Sequence, residues 1–384
     1  LSILFSAAGT VEAEEESMNK MIVANLVHRP VRSIISMVAV AVEVTLILLM
    51  VGLSTGILND NKARQSGIGA DVMVKPPGSS WMTGLTGAPV PIKAAAILRR
   101  QPHIAAVTPV VTQLTAGSNL EIIYGIDVPS FEAVGGPLRF VEGGPFAAPD
   151  DMIVDDFFAS AHNVHAGSTV EVLNHQFRVS GVVVNGRGAR RYISLATMQE
   201  LIGAENKASI FYVKLDDPKN ADAVSAGINT LAGMEKYSVM TMQTWLSLMS
   251  PSNVPGLSVF IDLVIGISVA IGFIVIFQSM YTAVMERTRE IGVLKSLGAS
   301  KLYIVRVILR ETLLLAVGGI LVGILVSAIA RLGILHKYPT LRVEITALWA
   351  LKATVIAVIG AMLGAVYPAF KAARKDPIDA LAYE

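Results

Sequence analysis

The sequence has 384 residues, 53% of them hydrophobic and only 16% charged, with a mean hydropathy of +0.59, which is too apolar for a soluble chain of this length and indicates a membrane protein. Its 31 basic and 30 acidic residues leave a net charge of +1, so there is no basic excess with which to grip phosphates and nucleic acid is excluded as a partner. The absence of cysteine excludes disulfides, thiolate nucleophiles and sulfur-ligated metals.

In chain order, the first seventeen residues, LSILFSAAGTVEAEEES, pair a short apolar run with an acidic cluster. They fit neither a spanning helix nor a good signal peptide and read as a disordered or non-native tail. Met18 opens a more coherent segment, and residues 18–32 read as an amphipathic cytoplasmic helix leading into the membrane. A hydrocarbon core of about 30 Å needs roughly 20 apolar helical residues, and four stretches qualify: 33–57, 257–283, 303–331 and 346–370. Glu43 lies in the middle of the first, inside AVAVEVTLILL, where an ionised carboxylate costs about 2.5–3.5 kcal/mol on insertion scales. It must face protein or water, as a proton relay, a polar latch across a dimer, or a neutral or hydrogen-bonded carboxyl that serves packing.

Residues 58–256 have the composition of a globular domain. ADVMVKPP reads as a strand, IKAAAILRRQ as a helix, and IAAVTPVVTQL and LEIIYGI as strands; SIFYVKLDD, NADAVSAGINTLAG and YSVMTMQ repeat the strand, helix, strand order. This predicts an α+β layer with helices on one face of a sheet. Between the halves, AGSTVEVLNHQFRVSGVVV alternates around an Asn174, His175 turn, a hairpin signal within a β-rich insertion at about 150–195. Proline and glycine cluster at 76–91 and 135–149, read as surface loops, and at 251–256, read as the linker back into the membrane.

Basic residues sit before the first span (Lys20, Arg29, Arg32), between the second and third (Arg287, Arg289, Lys295, Lys301) and after the fourth (Lys371, Arg374, Lys375). By the positive-inside rule these segments face the cytoplasm, so 58–256 and the 332–345 loop lie outside and both termini inside. The loop at 332–345 and its borders carry Arg331, Lys337 and Arg342, which weaken the contrast without reversing it. Gly52 with Gly56, Gly319 with Gly323, and Gly360 with Gly364 have the spacing that lets helices approach closely.

No Gly-Lys dipeptide occurs, so the sequence carries no phosphate loop and any ATP is gripped by another chain. There is no HExxH, and His162 and His165 lack an intervening glutamate, so they read as loop histidines; no metal site and no catalytic constellation is visible.

The segment between the second and third spans, 284–302, is the most informative. In ERTREIGVLKSLGAS, Glu286, Arg287, Arg289 and Glu290 form the first turn while Ile291, Leu294 and Leu297 recur at helical spacing, predicting a short amphipathic helix. Gly298 is placed to stop it and Ser300 to cap the next helix, KLYIVRVILRETLLL. Such a helix suits membrane lipid headgroups or a protein partner, and its mixed charge favours the protein.

This segment closely resembles the loop of MacB/FtsX-type permeases, the membrane subunits of mechanotransmission ABC transporters. YPAFKAARKDPIDALAYE resembles that family's closing motif, AGSTVEVLNHQFRVSGVVV its outer-domain hairpin, and NLVHRPVRSIIS its helix before the first span. The matches run in family order from about residue 19 to 384; Glu43 and the first seventeen residues depart from the pattern. The resemblance implies an α-helical membrane protein with four transmembrane helices and a large α+β extracytoplasmic domain, in the bacterial inner membrane. It implies a non-catalytic permease working as a dimer, with a second copy or a paralogue, bound to a separate ABC ATPase subunit that supplies ATP and Mg. Residues 286–298 would be the coupling helix, with Glu286, Arg287, Arg289, Glu290 and Lys295 as polar contacts, Ile291 and Leu294 as apolar ones and Gly298 as the stop. Two tasks follow from the resemblance: export or extraction of a lipoprotein, peptide, drug or glycolipid, with a periplasmic adaptor as a further partner, or FtsX-like activation of a cell-wall hydrolase.

Overall fold

The computed structural model describes residues 30–79, 88–116, 120–254, 256–338 and 340–376. The 1–17 tail, most of the expected 18–32 helix and the end of the closing motif lie outside the described residues. The chain divides into two compact units: the chain through Leu53 with Val259–Gly333 and everything from Val343, and Ser54–Ser258 with Ile334–Arg342.

Helix α1, Pro30–Ser66, opens with proline in its first turn, where a missing N–H costs no hydrogen bond. It continues well past residue 57 although NDNKARQS is rich in Asn, Asp and Ser; Lys62, Ala63, Arg64 and Gln65 favour helix, and Arg64 Nε pairs with Asp60 Oδ2 at 3.1 Å, one turn back. It stops at Gly67, and Gly69 takes a φ of +81°. Residues of α1 through Leu53 belong to the first unit and those from Ser54 to the second.

The second unit is built on one mixed sheet. Its strands are β1 (Val72–Lys75), β3 (Ile104–Ala116), β4 (Leu120–Ile126), β5 (Phe140–Gly143), β6 (Asp151–Asp155), β7 (Thr169–Val172), β8 (His175–Val183), β9 (Arg191–Ser194), β11 (Ile210–Leu215) and β12 (Ser238–Thr241). A separate small ladder joins β2 (Val90–Pro91) to β10 (Lys207–Ala208). The order is β12-β1-β11-β3-β4-β9-β6-β8-β5, with β7 paired to β8. The β-rich insertion is thus continuous with the main sheet, joined by the parallel pairing of β4 and β9 that sets Tyr124 opposite Tyr192. Its hairpin turns at Leu173 and Asn174, both left-handed at φ 54° and 58°, because His175 already pairs with Val172.

Helices α2 (Ala94–Arg99), α3 (Val128–Gly135), α4 (Asp156–His162), α5 (Leu195–Leu201), α6 (Ala221–Ile228) and α7 (Met242–Leu248) complete this unit. Four start directly off a strand on a side-chain cap: Asp127 bonds Ser130 N, Asp155 bonds Phe158 N, Ser194 bonds Thr197 N and Thr241 bonds Thr244 N. They cover both faces of the sheet and not one as expected. Alternation sends Met73, Tyr124, Ile153, Tyr192 and Tyr212 to a core shared with α3 and α7. Their neighbours Val72, Val74, Phe211 and Val213 meet α2 and α6, while Ile123, Met152 and Ile193 meet α4 and α5.

The first unit is helical. Besides the first part of α1 it holds α8 (Leu257–Glu286), α9 (Thr288–Ser296), α10 (Lys301–Lys337, through Gly333) and α11 (Ala347–Arg374). With α1, the three long helices α8, α10 and α11 are long and apolar enough to cross a membrane. Close approach is made by small residues. A Cβ at Gly319 would stand 2.7 Å from Val40 Cβ and one at Gly323 2.9 Å from Val44 Cβ, so α10 lies directly on α1. Ala353, Ala357, Ala361, Ala365 and Ala369 form a buried stripe along α11, and a Cβ at Gly364 would come within 2.9 Å of the Phe273 carbonyl on α8. Leu321, Leu325, Ile329, Leu351, Ile359 and Leu363 point outward, as lipid-facing residues do.

Candidate functional site

The hairpin between the second and third spans is made of three helical pieces. Helix α8 ends at Glu286; Arg287 departs from helical geometry, yet Ile291 N still donates to Arg287 O at 3.0 Å, so α9 follows after a bend. Gly298, at φ +101°, closes α9, with Ala299 N donating to Leu294 O at 3.0 Å. Ser300 Oγ then accepts from Tyr303 N at 3.2 Å and starts α10.

The predicted contact residues divide between two faces of this hairpin. Thr288, Ile291 and Gly292 are buried, and Ile291 shares a core with Val284, Ile304 and Ile308. Arg287 Nη1 reaches Glu311 Oε2 at 3.1 Å, and the other oxygen of Glu311 accepts from Arg32 Nη2 at 3.0 Å. Arg32 also stands 3.9 Å from Glu286. The Glu311 side chain is only 4% exposed, so stripping it of both guanidiniums would leave a buried charge uncompensated, at about 3–5 kcal/mol. Lys295 Nζ donates to the carbonyl of Ala373 at 3.1 Å and to that of Lys375, satisfying acceptors at the end of α11. Arg287 and Lys295 therefore bind α9 to the spans, and Leu294 is half-buried beside them.

Outward, Glu286, Arg289, Glu290 and Gly298 are exposed, and so are Leu297, which the sequence pattern had grouped with the apolar Ile291 and Leu294, and Val293, which it did not single out. Val293 and Leu297 extend the stripe of Arg289 and Glu290 at helical spacing, Leu297 is 79% exposed and Leu302 nearby 74%. An apolar side chain so open on a rigid helix end is the kind of group a partner covers. Beside α9, a cavity of about 360 Å³ is walled by Met280, Val284, Ile304 and Ile308, with Arg287, Glu290 and Glu311 at its polar edge and Val293 on its rim. The sequence signal that would have found Glu311 is its place in LRETLLL: a carboxylate at the start of an apolar run needs a cation close by.

In the second unit the structure shows a charged hub that sequence reading missed. Asp60 accepts from Arg64 at 3.1 Å and Arg190 at 2.9 Å and faces Arg342 at 3.6 Å; Arg190 also meets Asp155 at 3.4 Å and the Thr340 carbonyl at 3.3 Å. They come from four stretches of the chain, around 60–64, 155, 190 and 340–342, and share no motif. Beside them a cavity of about 370 Å³ is bounded by Ile57, Tyr124 and Leu341. Burial pushes the Asp155 carboxyl up to about 6, against the opposing pull of the Phe158 N–H and Arg190.

His162 packs on Phe158 with ring centres 4.4 Å apart, and His165 Nδ1 lies 3.3 Å from Glu142. Among the described residues no three His, Asp or Glu side chains are grouped to hold a metal. Glu43 is buried where α1 meets α8 and α11.

Two family models match the chain: the MacB-like periplasmic core domain over residues 33–231 and the FtsX-like permease C-terminal domain over 263–377. The macrolide export ATP-binding/permease protein MacB of Neisseria meningitidis (serogroup A) is 25% identical over 402 residues, covering 96% of this chain and 61% of that protein. The uncharacterized ABC transporter permease YknZ of Bacillus subtilis is 33% identical over 57% of this chain and 55% of its own length. The chain thus spans about three fifths or less of the length of these curated relatives. Among solved structures, the periplasmic region of MacB from Actinobacillus actinomycetemcomitans matches at 22% identity and a TM-score of 0.37, over 47% of this chain and 92% of that one. With the first family model alone spanning more than half of its residues, the chain belongs to the MacB/FtsX-type ABC transporter permeases.

Proposed function

We propose that this chain is a non-catalytic permease that couples ATP hydrolysis in an ABC ATPase to conformational change in its extracytoplasmic domain, for export or extraction of a lipoprotein, peptide, drug or glycolipid. The observation that carries the reading is the two-faced hairpin. Its outer stripe of Arg289, Glu290, Val293 and Leu297 is free to enter a groove on the ATPase, while its inner face is fixed to three spans through Arg287, Glu311, Arg32 and Lys295. A push on the outer face then moves helix ends instead of being absorbed in a loop. ATP and Mg belong to the ATPase, and the permease works as a pair, with a second copy or a paralogue. In this arrangement the basic segments 287–301 and 371–375 face the cytoplasm, and residues 58–256 lie outside.

The test is reconstitution with the cognate ATPase. Replacing Arg289 by Glu and Leu297 by Asp changes two exposed side chains and none of the contacts of Arg287, Glu311, Arg32 and Lys295, so the protein should stay folded while ATPase affinity falls tenfold or more, about 1.4 kcal/mol or greater, and stimulation is lost. Undiminished binding and stimulation by the folded double variant would remove the hairpin from the interface.

A further inference from the structure

Glu43 is 2% exposed, and among the described residues neither of its carboxylate oxygens has a hydrogen-bond partner. The hydroxyls nearest in sequence or on the facing helix are already engaged: Thr45 Oγ1 donates to the Gly323 carbonyl at 3.1 Å and Ser268 Oγ to the Val264 carbonyl at 2.8 Å. The carboxyl occupies a notch cut by two glycines. A Cβ at Gly272 of α8 would fall on Oε2 and lie 3.0 Å from Cδ, and one at Gly360 of α11 would stand 3.8 Å from Oε1. Glycine at 272 is therefore what gives this side chain its seat.

Among the described residues no countercharge stands level with the notch. On α1 the next ionisable groups are Arg32 and Asp60; on α8, Asp262 and Tyr281; on α10, Glu311 and Arg331; on α11, Lys352 and Tyr367. The closest along its helix is Tyr367, seven residues beyond Gly360, or about 10 Å at 1.5 Å per residue. An ionised carboxylate held at this depth with neither donor nor cation would cost several kcal/mol, whereas a neutral acid costs only its unmade hydrogen bonds.

We propose that Glu43 is a proton-binding site: the seat between Gly272 and Gly360 holds the carboxyl as the neutral acid. One proton is taken from water when α1, α8 and α11 close around it, and returned when they part and the carboxylate can be hydrated. The ligand is the proton alone, the bond formed is the carboxyl O–H, and no electron is transferred. The site lies away from the hairpin and depends on none of its contacts.

Infrared difference spectroscopy of the full chain in lipid nanodiscs, wild type minus Glu43→Gln, tests this. At neutral pH the difference should contain the C=O stretch of a protonated carboxylic acid, sensitive to deuteration, which gives way to a carboxylate band as the pH is raised. A carboxylate band already present at neutral or mildly acidic pH overturns the proposal. Should Glu43→Gln fail to fold, the acid band of the wild type titrated alone reports the same thing: an extra apolar-environment acid band at neutral pH supports the site and its absence refutes it. Gly272→Ala, which expels the carboxyl from its seat, should abolish the band; its persistence unchanged would refute the notch as the binding geometry.

Discussion

Asp155 ends β6, caps α4 through Phe158 N at 2.7 Å, and shares its other oxygen with Arg190. These interactions favour the carboxylate, yet burial outweighs them and raises the group from 3.8 to about 6. Because the folded value lies above the unfolded one, the folded domain binds this proton first. Asp155 thus contributes stability that is fully present below about pH 4 and is lost as the pH rises through about 6; a rise of about 2 units corresponds to at most about 3 kcal/mol. Asp155→Asn keeps a side-chain cap while removing the titration. Comparing thermal melts of the two proteins at about pH 7 and about pH 5, acidification should favour wild type over the variant; parallel shifts would mean that Asp155 titrates as it does in the unfolded chain. Nothing local in DDMIVDDFF distinguishes this aspartate from its three neighbours of the same type, since its neighbour Arg190 arrives from thirty-five positions away.

Among the elements, α10 and α1 make the sharpest demand on side-chain size. Gly323 sits under Ala41 and Val44, with its carbonyl accepting from Thr45 Oγ1, so Gly323→Leu must force the two backbones apart. The expected cost is about 1–3 kcal/mol or more, read as a lower unfolding temperature in detergent, while Leu325→Ala on the open face of the same helix should change little; equal effects would contradict the packing. Spacing alone pointed to Gly319 and Gly323 as a place of close approach, though not to α1 as the helix met there, because close approach in a membrane leaves a trace of small residues. The same kind of reading recognised α9 as an element but not its orientation. Its amphipathic pattern has charged residues on both sides, and Arg287 and Lys295 turn inward because Glu311 and the α11 carbonyls lie there. In the outer domain, alternation located β1, β3, β4, β11, β12 and the β7–β8 hairpin but not β6 or β9, nor β5, which lies in the 135–149 stretch read as a loop and is held by pairing with the distant β8; the coverage of both sheet faces depended on which helix packs where, which strand patterns do not encode.

At the scale of the whole molecule, the division into an apolar helical unit and an α+β unit was legible from composition, since hydrocarbon and water select different residues. The union of the insertion with the main sheet was not, because β4 and β9 meet across nearly seventy residues of chain. A chain with no cysteine allows orientation to be read without background. In intact cells a membrane-impermeant maleimide should label His165→Cys but reach Leu297→Cys only after permeabilisation; the reverse pattern would mean the opposite orientation in the membrane. Lys295 has a consequence of another kind. Its acceptors are main-chain carbonyls at 373 and 375, which persist whatever side chains those positions carry, so the clamp between α9 and α11 rests on a single codon. Genetic drift at the far end of the protein leaves it standing, with no compensating second change to be inherited.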